Sequence, residues 1–188
     1  QYIAGFVGDL RSDLDMLNSN IESREAQVQA AHTVLEFYEG RELDVDAFFD
    51  AYYTALLDRG LAPNRNTMDE VLNSGSLRLI DDPVIRTALL DVYASYNDIL
   101  NAEEHIERDF IDYLYDPTFS TVPFKYPGPW ADDPAFRPAA ERLLANQTVE
   151  NGLKLILVNV ESEGTLLDML RSARSDVEHL LSLLESNA

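Results

Sequence analysis

The sequence predicts an all-α fold, an elongated antiparallel helical bundle with three long helices and several shorter ones. Apolar residues recur at helical spacing over three stretches of roughly thirty residues or more, and the period-two alternation of a strand does not persist anywhere. Hydrophobic residues occupy 46% of the 188 positions, which is enough for one sizeable core. We therefore expect residues 1–188 to form a single helical-bundle domain.

The first predicted helix runs from Tyr2 to Tyr38 and ends at Gly40. It carries apolar side chains at two positions of a heptad repeat, the pattern typical of a coiled coil. At 1.5 Å per residue, this helix is roughly 55 Å long. One seam position of the repeat holds Ile3, Leu10, Leu17, Arg24, Ala31 and Tyr38, and the other holds Val7, Leu14, Ile21, Val28 and Leu35.

Two shorter helices follow. The pattern predicts the first from Val45 to about Arg59, entered after Asp44 and closed by Gly60. Thr67 and Glu70 have the spacing of a capping box, which predicts that the second begins there and ends near Gly75.

A corner is predicted in the stretch "NSGSLRLIDDP". Gly75 breaks the chain, Leu77 and Ile80 offer apolar plugs for a core, and Asp82 before Pro83 is the pattern of an N-cap followed by a proline at the first helical position. We interpret the stretch as a joint between helices, with a ligand site at the same corner as the open alternative.

The remaining pattern predicts two long helices, separated by a proline-rich loop and a short helix. The first runs from Pro83 to about Tyr115 and the second from Val149 to about Leu184, with the short helix at about 135–145. The loop covers Asp116 to Pro134 and holds five of the eight prolines, so it cannot continue a helix.

The proline-rich loop is the best candidate for contact with a ligand or partner, because loops carry function disproportionately. Aromatic side chains on a proline scaffold suit a binding surface. The alternative is that these aromatics fold back to cap one end of the bundle. The candidate residues are Phe119, Phe124, Lys125, Tyr126 and Trp130.

Four predicted seam positions carry charge: Arg24, Glu103, Glu163 and Arg174. If the first and last helices run antiparallel with level ends, Arg24 and Glu163 lie at similar height. We therefore predict an ion pair between Arg24 and Glu163 that fixes the register of the two helices. Alternatively, both side chains extend out of the seam into solvent.

The chain is strongly acidic, with 14 basic and 34 acidic residues and a net charge of -20. Such a charge repels nucleic acid, so we predict no nucleic-acid partner. Only Lys125 and Lys154 are lysines. Two explanations stay open, namely adaptation to a salty habitat and an acidic face that binds a partner.

No pattern typical of an enzyme, a cofactor site or a metal site is present. The sequence lacks cysteine, a nucleophile elbow and a phosphate-binding glycine loop. A carboxylate-bridged metal centre in a helical bundle needs a glutamate three residues before a histidine. The residues at that spacing before His32, His105 and His179 are Gln29, Ala102 and Asp176.

Two stretches, "YIAGFVGDLRSDLDMLNSNIESREAQ" and "TMDEVLNSGSLRLIDDPVIRTALLDVY", resemble an uncharacterised family of bacterial single-pass membrane-anchored helical domains. Members have a basic N-terminal segment, one apolar span, a helix with a leucine-and-aspartate pattern and an "SG-L-LI" hallmark followed by an arginine and tyrosines. The resemblance covers about the first hundred residues. The matching residues are Leu10, Asp13, Leu14, Leu17, Ser74, Gly75, Leu77, Leu79, Ile80, Arg86 and Tyr93.

The resemblance implies that the domain lies on the extracytoplasmic side of the bacterial inner membrane, because a basic leader stays in the cytoplasm. The chain begins with Gln1 and has no apolar run long enough to span a bilayer, so we expect an anchor in a preceding segment. The family implies no activity. We expect a non-enzymatic domain that senses a ligand or binds a protein, with a structural module that self-associates through the first helix as the alternative.

Overall fold

The computed structural model describes residues 2–57, 59–118 and 127–186, which form helices and no strand. The predicted all-α class is confirmed. The α-helices are α1 (Tyr2–Tyr38), α2 (Val45–Leu56), α3 (Asn66–Asn73), α4 (Pro83–Asp109), α5 (Phe136–Leu144), α6 (Gln147–Ile156) and α7 (Leu166–Ser186). A 3₁₀ helix covers Ser76–Leu79, and π-helices cover Phe110–Leu114 and Leu157–Glu161.

The chain divides into two compact units. Unit 1 consists of Gln1–Glu22, Arg59–Ala102 and Leu166–Ala188, and unit 2 consists of Ser23–Asp58 and Glu103–Thr165. Helices α1 and α4 each contribute residues to both units. The expectation of a single domain therefore stays a prediction.

Unit 1 builds its core from α1, α3, α4 and α7. Helix α3 lies close against α1, because a β-carbon on Gly5 would come within 2.8 Å of the Thr67 hydroxyl oxygen. The Thr67 amide donates to Asp9 Oδ2 at 3.0 Å, so a carboxylate of α1 stabilises the start of α3. The predicted capping box is therefore wrong, since α3 begins at Asn66 and Thr67 lies inside it. Buried apolar residues of this core include Phe6, Leu10, Leu17, Met68, Val71, Leu89, Tyr96, Leu170, Val177 and Leu184.

Unit 2 has an aromatic core. Tyrosine hydroxyls stabilise helix ends within it, because Tyr52 donates to the Leu114 carbonyl at 2.8 Å and Tyr38 donates to the Leu143 carbonyl at 2.7 Å. Each carbonyl also accepts from a backbone amide just past the helix end, Asp116 for Leu114 and Asn146 for Leu143, so the tyrosine adds a second donor there. Buried side chains of this core include Phe37, Phe48, Phe49, Tyr52, Phe110, Trp130, Phe136, Leu153 and Val160.

The prediction of one long helix from Val149 to about Leu184 is wrong, because this part of the chain forms separate helices. Helix α6 ends at Ile156, a π-helix follows, and α7 begins only at Leu166. Gly164 in the intervening turn has φ +75°, a left-handed conformation that glycine adopts without a steric penalty. The Thr165 hydroxyl donates to the Ser162 carbonyl at 2.6 Å and supports the turn. The second long helix also differs, because α4 ends at Asp109 and continues as a π-helix.

None of the described helices is long and apolar enough to cross a lipid bilayer.

Candidate functional site

The predicted corner is a turn whose parts have structural roles. Gly75 has φ +65°, the left-handed conformation that ends a helix. Pro83 is the first residue of α4, and Asp82 Oδ1 accepts from the Val84 amide at 2.8 Å, which is the bond of an N-cap. The Arg86 guanidinium donates to the Ile80 carbonyl at 3.1 Å and ties the turn to the first turns of α4.

Two corner residues differ from their prediction. Leu77 and Ile80 are half-buried and lie outside the buried core, and none of the residues in the 3₁₀ helix is buried. A 3₁₀ helix has three residues per turn, so its side chains at i and i+3 eclipse and a single short turn presents few of them to a core. The prediction that these side chains plug the core is therefore wrong.

In unit 1, polar side chains of α1 and α4 form hydrogen bonds that position the loop before α3. Asp13 Oδ1 accepts from the Asn64 amide at 2.7 Å, Tyr96 donates to Asp13 Oδ2 at 3.1 Å, and Tyr93 donates to the Asn64 carbonyl at 3.1 Å. Burial, together with the negative charge of Asp9, raises the pKa of the Asp13 carboxyl, although the bonds from Asn64 and Tyr96 act to lower it. Asp13 and Tyr93 belong to the pattern that carries the family resemblance, and in this structure they position a loop.

The aromatic loop is described only in part. Phe119, Phe124, Lys125 and Tyr126 lie outside the described residues, whereas Trp130 is described and is 0% exposed.

Trp130 packs in the core of unit 2. Its indole stacks on Tyr53 with ring centroids 4.9 Å apart, and its Nε1 donates to Asp50 Oδ1 at 2.7 Å. Its amide also donates to Asp46, whose Oδ1 accepts from the Ala131 amide at 3.0 Å. Trp130 therefore folds back into the protein, as the alternative prediction for these aromatics states. The prediction that it forms an exposed contact surface is wrong.

The Arg24 guanidinium is buried in unit 2, as its place in the seam predicts, but its partner differs. Arg24 Nη2 lies 3.4 Å from Glu103 Oε1, and the exposed fractions of the two side chains are 1% and 8%. Glu163 is exposed in the turn before α7, because the chain leaves the helix there. The predicted ion pair between Arg24 and Glu163 is therefore wrong.

Unit 1 also has an open groove between α4 and α7, which we call the α4–α7 groove. Its volume is about 650 Å³. From α7 it is lined by Asp176 and His179, which lie three residues apart on one helical face. From α4 it is lined by Pro83, Val84, Thr87, Ala88, Asp91 and Val92.

The chemistry of the groove changes from its floor to its rim. Val84, Ala88 and Val92 are spaced four residues apart and form one apolar row along α4. Their burial is graded, since Val92 is 1% exposed, Ala88 is half-buried and Val84 is 57% exposed. Asp91, Asp176 and His179 are exposed around this row, and no lysine or arginine is found among the described residues that line the groove.

Sequence reasoning missed the groove, although it left a signal. The predicted core stripe of α4 passes through Ile85, Leu89, Val92 and Tyr96, all of which are buried. Val84 and Ala88 are apolar residues beside that stripe. An ordinary core-facing stripe can be equally wide, so this signal is weak.

A smaller cavity of about 350 Å³ borders the corner, with Leu79, Ile80, Asp82 and Ile85 facing Tyr2 and Ile3 of α1. It lies at the predicted corner, for which a ligand site is the alternative interpretation. Leu79 is 66% exposed there. The cavity has about half the volume of the α4–α7 groove, so the groove is the stronger candidate.

In the part of the chain that the structure describes, His, Asp and Glu side chains form no group of three or more that could hold a metal ion.

Comparisons with family models, with curated proteins and with solved structures find no match to this chain.

Proposed function

We propose that this chain is a non-enzymatic binding domain that engages a ligand or a protein partner through the α4–α7 groove. Following the family resemblance, we place it on the extracytoplasmic side of a bacterial inner membrane, as part of a membrane-anchored protein. The proposal depends mainly on one observation, an open groove with an apolar floor and a polar rim. Binding sites commonly combine an apolar lining with a few polar groups that orient the ligand.

Exposure of Val84 supports this choice of surface. The Val84 side chain is 57% exposed, and contact of this apolar surface with water is unfavourable. A partner that covers Val84 removes the surface from water, which contributes favourably to the free energy of binding. Thr87 and Asp91 lie exposed on the same side of α4 and can form hydrogen bonds with what binds there.

Self-association through the first helix is the weaker alternative. It requires an apolar seam on α1 that is free to meet a second copy. Most of the predicted seam is already buried inside the chain, including Leu10, Leu17, Ile21, Val28 and Ala31. The exposed positions of α1 carry mainly polar or small residues such as Arg11, Asp15, Glu22, Gln29 and Glu36.

A fragment screen by NMR tests the proposal. We expect small apolar and amphipathic compounds to shift amide resonances that cluster at Val84, Ala88 and Val92. Thr87→Phe places a large side chain in the groove at an exposed position and should weaken fragment binding by about tenfold, which corresponds to about 1.4 kcal/mol. Ala94→Phe is the matched control, because Ala94 is an exposed residue of α4 outside the groove. Shifts scattered over the surface, or equal effects of the two variants, would contradict a binding site in the groove.

A further inference from the structure

We propose that the α4–α7 groove receives a basic amphipathic helix from a partner protein. This inference depends on the proposed function, because it names the occupant of the same groove. Three properties of the groove support it, namely the spacing of its floor, the charge of its rim and the charge of the whole chain.

The floor has the geometry of a helix-packing surface. Val84, Ala88 and Val92 form a row with a spacing of four residues, and such rows are the ridges and grooves that pack against another helix. The row is about 12 Å long at 1.5 Å per residue, which matches about two turns of a partner helix. Ala88 at its centre is the smallest of the three side chains, so a partner's side chain can approach the backbone of α4 most closely there.

The open shape also favours a helix over a small molecule. Val84 is 57% exposed at one end of the row, whereas Val92 is 1% exposed at the other. A compact ligand seated near Val92 would leave Val84 uncovered. A helix that lies along α4 can cover the exposed part of the row, Val84 and Ala88, with side chains at i, i+3 or i+4, and i+7.

The rim determines the charge of the partner. Asp91 stands beside the row on α4 and Asp176 stands on α7, both exposed. Lysine or arginine side chains that flank the apolar stripe of a partner helix can reach these carboxylates. Such rim pairs contribute mainly to specificity and to the rate of association.

The net charge makes a second copy of this chain an unsuitable occupant. Each chain carries a net charge of -20, so two copies repel each other before any contact forms. A basic segment is instead attracted from a distance, and this attraction weakens as salt screens it.

The test uses the full chain, isotope-labelled, and a synthetic helix-forming peptide of about 18 residues, which is longer than the about 12–15 residues below which isolated helices are marginal. The peptide carries leucines at i, i+3 or i+4, and i+7, and lysines elsewhere. A scrambled peptide of the same composition lacks the stripe. We expect the striped peptide to shift the amides of Val84, Ala88 and Val92 and to bind about tenfold more tightly than the scrambled one, a difference of about 1.4 kcal/mol.

Matched variants locate the binding surface. Val84→Lys should weaken binding about tenfold through like-charge repulsion, whereas Leu90→Lys adds the same charge at an exposed position of α4 outside the groove and should change it less than about twofold. The double variant Asp91→Asn with Asp176→Asn should also weaken binding. Its control is Asp98→Asn with Asp168→Asn, which removes two exposed acids of α4 and α7 outside the groove.

The outcomes separate the two proposals. If the scrambled peptide binds equally well, or if both double variants weaken binding equally, the attraction is diffuse and the inferred helix site is wrong. If fragments bind in the groove but the striped peptide leaves its amides unshifted, the groove is a binding site for another class of ligand and this inference alone fails. If neither fragments nor peptide shift the groove amides, both proposals fail.

Discussion

At the scale of single residues, the most informative feature is a row of buried polar side chains on α1. Asp13, Asn20 and Gln27 lie seven residues apart and are 1%, 4% and 1% exposed. Phe6 and Val34 continue the same repeat at either end and are fully buried. The helix therefore buries a third position of its heptad repeat beside the two apolar ones.

Two members of this row bind backbone groups elsewhere in their own unit. In unit 1, Asp13 accepts from the Asn64 amide at 2.7 Å. In unit 2, Gln27 Nε2 donates to the carbonyls of Ala55 and Leu57 at 2.9 and 3.1 Å, which satisfies acceptors at the end of α2. Polar residues in this row therefore fix loops and helix ends, a role that their residue types alone do not reveal.

Asp13 gives a pH-dependent prediction. Burial raises the pKa of this carboxyl in the folded chain above the value of 3.8 for an unperturbed aspartate. The folded state then binds the proton more tightly, so this group's contribution to stability is complete below pH 3.8 and is lost as the pH rises through the folded pKa. Asp13→Asn should remove this loss of stability at higher pH, because the amide does not ionise. The amide also keeps an acceptor for the Asn64 amide and offers a donor to the Tyr96 oxygen.

Urea unfolding of the two proteins across a pH series measures the effect. We expect the free energy of unfolding of Asp13→Asn, relative to that of the parent chain, to rise with pH above 3.8. Asp15→Asn is the control, because Asp15 is an exposed residue of the same helix and its change also removes one negative charge. A difference that falls with pH, or an equal trend in the control, would show that burial of Asp13 does not favour its protonated form.

At the scale of elements, a close contact joins α6 to the π-helix that follows α4. A β-carbon on Gly152 would lie 2.6 Å from Leu114 Cδ2 and 2.7 Å from Tyr113 Cβ. Asn159, in the π-helix that follows α6, donates to Asp109 Oδ2 at the end of α4 at 2.8 Å, so a side-chain bond also joins the neighbouring segments. Glycine at 152 is thus required by packing, although it weakens the helix that contains it.

Gly152→Ala should therefore destabilise the protein. Alanine favours a helix by about 0.8–1.0 kcal/mol over glycine, but overpacking at a contact this short costs about 1–3 kcal/mol, so the net change is a loss. Gly8→Ala is the matched control, because Gly8 lies in α1 and a β-carbon there meets nothing within 4 Å. The control should gain up to about 1 kcal/mol. Equal stabilisation of both variants in chemical denaturation would mean that α6 does not approach Tyr113 and Leu114 this closely.

Element boundaries were predictable where a local signal sets them. Asp44, Pro83 and Gly40 each mark a helix end in the sequence, and the structure ends or begins helices beside them. The break before α7 was missed because apolar residues keep helical spacing across the turn, with Val160 and Leu167 seven residues apart on either side of Gly164. The π-helices were also missed, since they are rare and no residue pattern in the sequence marks them.

The candidate site was less predictable than the helices. The α4–α7 groove arises from the distance between two helices that are far apart in sequence, and periodicity reports only which face of each helix is apolar. Trp130 illustrates the same limit. Its place in an aromatic, proline-rich loop suggested exposure, whereas stacking on Tyr53 and the bond to Asp50 bury it completely.

At the scale of the whole molecule, charge imbalance is the dominant feature. With 34 acidic and 14 basic residues, one-to-one pairing leaves at least 20 acids without a basic partner. Pairs such as Arg11 with Glu185 at 2.8 Å and Arg41 with Glu36 at 2.7 Å are exposed, and exposed pairs contribute roughly 0–1 kcal/mol each. These weak surface pairs therefore do little to offset repulsion among the acids in excess.

Salt should consequently stabilise the protein, although it weakens each surface ion pair. Raising NaCl from 0.1 to 1 M shortens the screening length from about 10 to about 3 Å, so repulsion between exposed acids falls more than the few short pairs lose. We expect a gain of about 2 kcal/mol, which for a chain of this size raises the melting temperature by about 4–8 °C. A variant with amides at the exposed positions Asp15, Glu22, Asp98, Glu107 and Asp132 should melt higher at 0.1 M and respond less to added salt. If the parent chain and this variant gain equally, salt acts through burial of apolar surface and not through screening, and charge repulsion does not limit the stability of the fold.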